Sequence, residues 1–287
     1  SKLSQNQLRF GNNSEQYFRI LELARAALSN APKDYLLGIA PHSLRAVSPE
    51  ALVEIIEAKT SGPVHIHIAE QLKEVEEIQT HFDARPVEWL LNNIAVDSRW
   101  CLIHATHMTQ EETQNLAKSG AVVGLCPITE ANLGDGVFDG TELLLSGGKY
   151  GIGSDSNVRI SLTEELRLLE YSQRLVRKER NVMTSKIGSV GRALYDDSLT
   201  GGAQALARKS GSIVPGNWAD LLTLDAEALT LNACTEDEIL DRWIFSGDDS
   251  LVREVWSAGR QMVVDGQHIR HNEIERKYRS VIQEIRQ

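Results

Sequence analysis

Short apolar runs alternate with longer amphipathic segments over most of the chain. Runs of strand type lie at residues 35–40, 64–68, 100–103, 121–125 and 150–153. The segments between them carry apolar residues at the three- and four-residue spacing of helices. This alternation predicts an α/β fold whose strands form a parallel sheet with right-handed crossovers. Five strands are predicted, whereas a closed (β/α)8 barrel has eight.

Capping residues mark where the first helices begin. Ser14 is predicted to cap a helix that runs to about residue 30. Ser48 is predicted to cap a second helix, with Pro49 at its first position. The other predicted helices lie near residues 72–80, 86–93, 110–119, 162–178 and 200–208.

The pattern of apolar and turn residues changes after residue 210. Turn residues flank short apolar runs within 211–224, 252–256 and 261–264, and Asp265-Gly266 reads as a tight hairpin turn. A polar helix is expected from about residue 272 to the end. We therefore predict that residues 1–210 form the carboxyl-terminal part of a TIM-type barrel. Residues 211–287 are predicted to form part of a β-sandwich and a terminal helix.

Composition excludes several classes of partner. The chain has 287 residues, of which 41% are hydrophobic, and a formal charge of -10. Nucleic-acid binding needs clustered Lys and Arg, so a polyanionic partner is not expected. No apolar run approaches the roughly 20 residues of a membrane span.

Three cysteines without paired spacing indicate a reducing compartment, and the cytoplasm is the predicted location.

Polar side chains follow three of the predicted strands at their carboxyl ends. His67 and Glu70 follow the second strand, His104 ends the third and Asp155 follows the fifth. The carboxyl ends of parallel strands meet at the mouth of a barrel, where barrel enzymes keep their chemistry. Two imidazoles and two carboxylates at that place are the parts of a mononuclear metal hydrolase site.

The residue types suggest a role for each side chain. His67 is the predicted metal ligand, and His65, on the same face of its strand, is predicted to be a hydrogen-bonded core residue. Glu70 is expected to transfer protons. His104 is expected to polarise the group under attack or stabilise the anion that forms. Asp155 is expected to hold the metal and to accept a proton.

Several of these side chains also have a structural interpretation. Both strand histidines would serve as core residues, and Asp155 in Ser-Asp-Ser-Asn would serve as a helix cap. His107, three residues after His104, is expected to brace its loop. The order of the residues and their placement at strand ends favour the functional interpretation.

The predicted metal site has too few ligands. A hydrolytic zinc site needs about three protein ligands and an open position, and His67 and Asp155 supply two. No His-x-His pair lies upstream, and the chain opens at Ser1. We therefore expect the chain to be the carboxyl-terminal portion of a longer protein.

Several of these motifs resemble a known family. His67-x-x-Glu70, the strand-end His104, Gly-Ser-Asp155 and the turn at 216–221 resemble the deaminase branch of the amidohydrolase superfamily. Segments 40–47, 124–134 and 153–157 are similar to the formimidoylglutamate deiminases, which act in histidine degradation, and the resemblance covers nearly the whole chain. It implies one Zn²⁺ per active site and a barrel flanked by a β-sandwich. It also implies release of ammonia from N-formimino-L-glutamate to leave N-formyl-L-glutamate.

The resemblance also implies residue roles. It implies that His42 and Arg45 bind the substrate, and the planar set of donors on Arg45 matches the carboxylates that this substrate carries. A loop-to-helix salt bridge is the structural alternative for Arg45. The resemblance further implies that His67 and Asp155 are metal ligands and that Glu70, His104 and Asp155 are catalytic. The family's amino-terminal part, with His-x-His, the first strands and half of the sandwich, has no counterpart in this chain.

Two other functions remain open from the sequence. Another deaminase of the same branch would act on guanine, cytosine or an adenosine derivative, although His42 and Arg45 favour a small anionic substrate. A half-barrel without catalysis would serve as a binding or assembly module. A homodimer and a need for the missing amino-terminal part are further expectations.

Overall fold

The computed structural model describes residues 8–57, 61–184 and 188–286. Its main sheet is parallel and has four strands, β1 to β4, which lie side by side in chain order. Their bounds are Val64–Ile68, Trp100–His104, Val122–Leu125 and Lys149–Ile152. In the register of β1 and β2, Ile68 lies beside His104. The carboxyl ends of the four strands therefore meet along one edge, as the sequence predicted.

The strand predicted at residues 35–40 is wrong. Residues of this segment make only an isolated bridge, from Ile39 to Val64, and Ser43 makes a second with His67. Pro41 has no N–H to donate to a ladder, so regular pairing stops there. The segment still runs along β1, because the N–H of His67 donates to the carbonyl of His42.

Eleven α-helices lie in the described part of the chain, and their starts follow the capping pattern closely. Ser48 accepts from the N–H of Ala51 and caps α2, as predicted, whereas Asn13 rather than Ser14 caps α1. Helices α6, α7 and α10 were not predicted, and α9 begins ten residues before the expected start. The bounds of α1 to α11 are Ser14–Leu28, Pro49–Ile56, Leu72–Phe82, Pro86–Asn93, Gln110–Ser119, Pro127–Leu133, Gly140–Leu145, Leu162–Arg177, Val190–Ala205, Glu238–Phe245 and His271–Ile285. Single turns of 3₁₀ helix lie at Leu8–Phe10, Leu229–Leu231 and Asp249–Leu251.

Helix α9 packs closely against β4 because glycines face the strand. A Cβ on Gly201 would lie 1.7 Å from the carbonyl oxygen of Tyr150, and one on Gly151 would lie 3.0 Å from the N of Gly202. On β1, the side chains of Val64, Ile66 and Ile68 are fully buried in the main core. These contacts hold the strands in place below the polar edge.

The carboxyl-terminal region contains a second sheet, which is antiparallel. Its strands β5 to β8 lie in chain order at Leu221–Leu224, Val252–Ser257, Arg260–Val264 and Gln267–His268. Asp265 and Gly266 both have positive φ, 48° and 76°, and form the predicted two-residue hairpin turn. The division at residue 210 stays a prediction. In the described ranges, no helix has the length and apolarity that a membrane crossing needs.

Candidate active site

The predicted strand-end side chains come together at the carboxyl edge of the parallel sheet. The Nε2 of His104 lies 3.9 Å from a carboxylate oxygen of Glu70 and 4.0 Å from one of Asp155. The rings of His67 and His104 are stacked, with their centroids 5.7 Å apart. Residues separated by almost ninety positions in the sequence therefore lie close together at this edge of the sheet.

The backbone is strained where these side chains leave their strands. Ala69, His104, Ala105 and Asp155 all have φ between 49° and 69°. Non-glycine residues rarely adopt this left-handed region, and such strain persists only where surrounding structure imposes it. Each strand that delivers a candidate residue therefore ends in a sharp turn, which directs the side chain towards the other candidate residues.

His67 is oriented by a neighbouring backbone carbonyl. Its Nδ1 lies 2.9 Å from the carbonyl oxygen of His42, which can only accept a hydrogen bond. Nδ1 therefore carries the proton, and Nε2 keeps its lone pair. Metal-binding histidines are commonly fixed in this way, with one nitrogen donating to a carbonyl and the other free to bind.

His104 is held from both sides. Only 1% of its surface is exposed, and its Nδ1 lies 3.2 Å from an oxygen of Glu130. Burial disfavours the charged ring, but the hydrogen bond to Glu130 and the carboxylates of Glu70, Glu130 and Asp155 raise the pKa of His104 overall. The surroundings of this imidazole are therefore anionic.

The loop that carries Glu70 is held by hydrogen bonds to a second carboxylate, that of Glu74. Glu74 at the start of α3 accepts hydrogen bonds from the N–H groups of Ala69 and Glu70, at 3.1 and 2.9 Å. Burial, together with the charge of nearby Asp135, raises the pKa of Glu70 against the opposing effect of His104. A raised pKa makes a carboxyl group a better proton donor to a reacting group than a fully ionised one.

His42 and Arg45 belong to the segment before β1, which runs parallel to that strand at the edge of the sheet. The rings of His42 and His67 are 5.0 Å apart, and burial followed by the charges of His67 and Arg45 lowers the pKa of His42. Arg45 is exposed. Its guanidinium makes no ion pair or hydrogen bond with any residue in the described ranges, so the alternative of a loop-to-helix salt bridge has no partner there.

Two other histidines have structural contacts, as predicted. The Nε2 of His65 lies 2.8 Å from the carbonyl oxygen of Ala205 at the end of α9. The Nε2 of His107 lies 2.6 Å from the carbonyl oxygen of Asp135 and braces the loop after α6. Neither ring is directed at the cluster around His104 by these contacts.

Sequence reasoning missed the contribution of the segment after β3. Cys126 follows this strand, Pro127 opens α6, and Glu130 in the first turn contacts His104. This motif enters the sequence-based predictions only through its resemblance, although a proline two positions after a strand end is itself a signal of a helix start. Behind α6, Glu165 accepts from the N–H of Ile128 at 2.8 Å, and burial raises the pKa of Glu165 to about 7.

The chain offers two sets of metal donors at this edge. His67 presents a free Nε2, and Asp155 adds a carboxylate oxygen 4.0 Å from the Nε2 of His104. A second set, His104, Cys126 and Glu130, has its donor atoms within 4.8 Å of one another. The first set has the nitrogen and oxygen chemistry of a catalytic zinc site, although it supplies fewer than three ligands.

Comparisons with known proteins agree with this geometry. A model of the amidohydrolase family matches residues 11–262. Formimidoylglutamate deiminase of Pseudomonas aeruginosa is 48% identical over 98% of this chain and 62% of its own length. A 5-methylthioadenosine/S-adenosylhomocysteine deaminase of Archaeoglobus fulgidus is 33% identical over 64% of this chain and 43% of its own length.

Solved structures show the same fold. The crystal structure of an amidohydrolase from Brucella melitensis has a TM-score of 0.95 and 46% identity, over all of this chain and 63% of that one. An adenosine deaminase from Xanthomonas campestris with bound zinc has a TM-score of 0.81 at 23% identity, over 94% of this chain and 62% of that one. The chain thus spans somewhat less than two thirds of these relatives. The family model over residues 11–262 and the 48% identity show that the chain belongs to the amidohydrolase family.

Proposed function

We propose that the protein hydrolyses the formimino group of N-formimino-L-glutamate, giving N-formyl-L-glutamate and ammonia. The single observation that carries this proposal is the pairing of a metal-type cluster with an unpaired arginine. The cluster of His67, His104 and Asp155 supplies the chemistry, and Arg45, whose charge acts on His42 next to His67, suits a substrate with carboxylates. The 48% identity to a formimidoylglutamate deiminase supports the same substrate.

Zinc is the proposed metal, with His67 and Asp155 as its ligands in this chain. When bound, Zn²⁺ would polarise the carbon–nitrogen group and lower the pKa of a coordinated water to about 7. Further ligands would come from a His-x-His segment outside this chain, as the resemblance implies. The residues present fit this role because His67 already has its Nε2 free.

The remaining side chains would move protons and hold the substrate. Asp155 accepts a proton from the attacking water, and Glu70 carries a proton to the leaving nitrogen so that it departs as ammonia. His104, next to both, stabilises the tetrahedral intermediate by accepting a hydrogen bond at Nε2 from its O–H or N–H group. His42 and Arg45 bind the carboxylates of the glutamate part.

The cellular setting is also a proposal. All three cysteines are free thiols, and Cys101 and Cys126 are buried, which supports the cytoplasm as the place of the reaction. The partner is a small molecule rather than a nucleic acid. A homodimer stays a prediction.

Ammonia release by the complete gene product, loaded with zinc, tests the proposal. We expect turnover of N-formimino-L-glutamate and little turnover of guanine, cytosine or 5-methylthioadenosine. Metal analysis on the same sample should find about one zinc per chain. Preference for a nucleobase or nucleoside would overturn the substrate assignment, and a metal-free protein without turnover of any of them would support a binding module.

A further inference from the structure

Glu130 is a buried carboxylate that contacts the Nδ1 of His104. The other ring nitrogen, Nε2, is the one that lies near Glu70 and Asp155. Only 5% of the surface of Glu130 is exposed. One of its oxygens, Oε1, accepts a hydrogen bond from the N–H of Cys126 at 2.9 Å and lies 3.2 Å from the Nδ1 of His104. None of the roles implied by the strand-end motifs includes this residue.

The backbone around Glu130 is fixed at both ends of its helix. Its N–H donates to the carbonyl of Cys126, and its own carbonyl accepts from the N–H of Asp135, each at 2.9 Å. Cys126 in turn follows β3, whose place in the sheet is fixed by pairing with β4. The carboxylate therefore has a defined position relative to His104.

These contacts determine where the proton of the imidazole lies. Oε1 already accepts from a backbone N–H, so its contact with Nδ1 is a second accepted hydrogen bond. Nδ1 must therefore be the protonated nitrogen of the neutral ring. The other nitrogen, Nε2, then has a free lone pair and lies 3.9 to 4.0 Å from the oxygens of Glu70 and Asp155.

We propose that Glu130 is a positioning residue that holds His104 with its proton on Nδ1 and its Nε2 directed at the reacting group. The inference deepens the proposed function and rests on it for the kinetic part. The carboxylate would act on the substrate only through the ring, as carboxylates do that orient a catalytic histidine. Loss of such an orienting partner typically costs about 10- to 100-fold in activity.

The same atoms could instead form a metal site with Cys126, but the contacts argue against it. A cation at Glu130 would take the oxygen that now accepts from the N–H of Cys126, leaving a buried donor unpaired. Burial, with the charge of Glu130 next, also raises the pKa of the Cys126 thiol, so a cation there would have to displace its proton.

The tautomer of His104 can be measured without any activity. The zinc-loaded complete protein, labelled with ¹⁵N-histidine, is examined by two-bond nitrogen–proton NMR, and the His104 signals are assigned by their loss in His104→Asn. We expect the Nδ1 of His104 to have the shift of a protonated ring nitrogen and Nε2 that of a lone-pair nitrogen. The reverse assignment would overturn the proposal, whatever the substrate of the enzyme.

Kinetics of Glu130→Gln test the consequence. Glutamine keeps an oxygen for the N–H of Cys126 but removes the charge that strengthens the hydrogen bond from Nδ1 of His104, so a role confined to capping would leave turnover unchanged. We expect kcat to fall about 10- to 100-fold, with KM and zinc content within roughly threefold of the parent. Unchanged kcat, or loss of zinc, would overturn the proposal.

Glu170→Gln provides the matched control. Glu170 is a fully buried carboxylate that accepts from the N–H groups of Val182 and Met183 and pairs with Arg174, away from His104. This variant makes the same change of a buried glutamate, although it also removes an ion pair, and should leave kcat unchanged. An equal fall of kcat in both variants would show that the effect of Glu130→Gln is a general loss of structure and would overturn the proposal.

Discussion

Two groups of carboxylates in this molecule differ in how their charge is balanced. Around His104, Glu70, Glu130 and Asp155 lie within 4.0 Å of one imidazole. None of these three pairs with a lysine or arginine in the described ranges. A second group, which we call the junction, consists of Asp34, Asp220, Arg208 and Arg260. There, by contrast, both aspartates pair with an arginine.

The junction is built from alternating charges. The guanidinium of Arg260 contacts both oxygens of Asp34, at 2.9 and 2.6 Å. Arg208 bonds to Asp220 at 2.7 Å and to the carbonyl of Asp34 at 2.9 Å. The hydrogen bond from Arg260 lowers the pKa of Asp34 to about 2, although burial opposes this shift.

The pKa shifts of the two groups have opposite directions. Burial raises the pKa of Glu70, whereas arginine lowers that of Asp34. Anionic groups gathered without cations are unfavourable unless a bound cation or a substrate compensates, so the edge of the parallel sheet is suited to binding. The junction is already neutralised and is suited to holding two parts of the chain together. Four predictions test this distinction, in order of decreasing effect on turnover.

Loss of a metal ligand should have the largest effect. His67→Ala and Asp155→Ala each remove one of the two proposed ligands in this chain, and metal affinity depends on ligand number and geometry. We expect zinc content to fall well below one per chain and ammonia release to fall below detection. His81→Ala, which removes an exposed histidine of α3, should change neither. Full zinc occupancy in both ligand variants would show that the ligands lie elsewhere.

Glu70→Gln should abolish most turnover while keeping the metal. The amide preserves the shape of the side chain but cannot transfer a proton, and general acid–base groups contribute roughly 10²- to 10⁴-fold. Stopped assays of ammonia with parallel metal analysis measure both quantities. The matched control is Glu76→Gln, an exposed position on the same helix as Glu74. Near-normal turnover, or loss of zinc, would contradict the proton-transfer role.

The residues around His104 differ in how far the sequence predicts them. His67, Glu70, His104 and Asp155 could be found because each lies at or within a few residues of a strand end, and apolar runs mark strands clearly. Glu130 reaches His104 from a short helix 26 residues further along the chain. Only the fold of the segment after β3 brings the two together, so spacing in the sequence carries no sign of it.

The failures elsewhere have similar physical causes. Residues 35–40 have a strand composition, but Pro41 and the edge position leave them with a single bridge. Helices α7 and α10 have six and eight residues, too few for a helical period to be distinct. The ion pairs of Asp34 with Arg208 and Arg260 join positions more than 170 residues apart, and charges carry no periodic signal of their partners.

Arg45 should affect substrate binding more than chemistry. A charge-assisted hydrogen bond is worth about 1.5–3 kcal/mol, so Arg45→Met is expected to lower kcat/KM for the diacid about 10- to 150-fold, mainly through KM. Arg45→Lys should already be damaging, because an ammonium lacks the planar fork that matches a carboxylate. Arg276→Met on α11 is the control for loss of an exposed arginine.

A substrate series sharpens this prediction. A formimino compound without carboxylates has no group for Arg45 to bind, so its kcat/KM should change little in Arg45→Met. Equal losses for both compounds would mean that Arg45 has a structural role, and the choice of this substrate over a nucleobase would then rest on the resemblance alone.

The junction should matter for stability and hardly at all for turnover. Because the folded-state pKa of Asp34 lies near 2 and its ordinary value is 3.8, its ionised form stabilises the fold. This contribution is fully present above about pH 4 and is lost as the pH falls towards 2. Asp34→Asn should therefore lower the urea midpoint at pH 7 and flatten its dependence on pH between 4 and 2, with kcat unchanged. Asp83→Asn, at an exposed aspartate that makes no ion pair in the described ranges, should leave the midpoint unchanged. A fall of kcat in Asp34→Asn comparable to that of Glu70→Gln would break the distinction between the neutralised junction and the anionic edge.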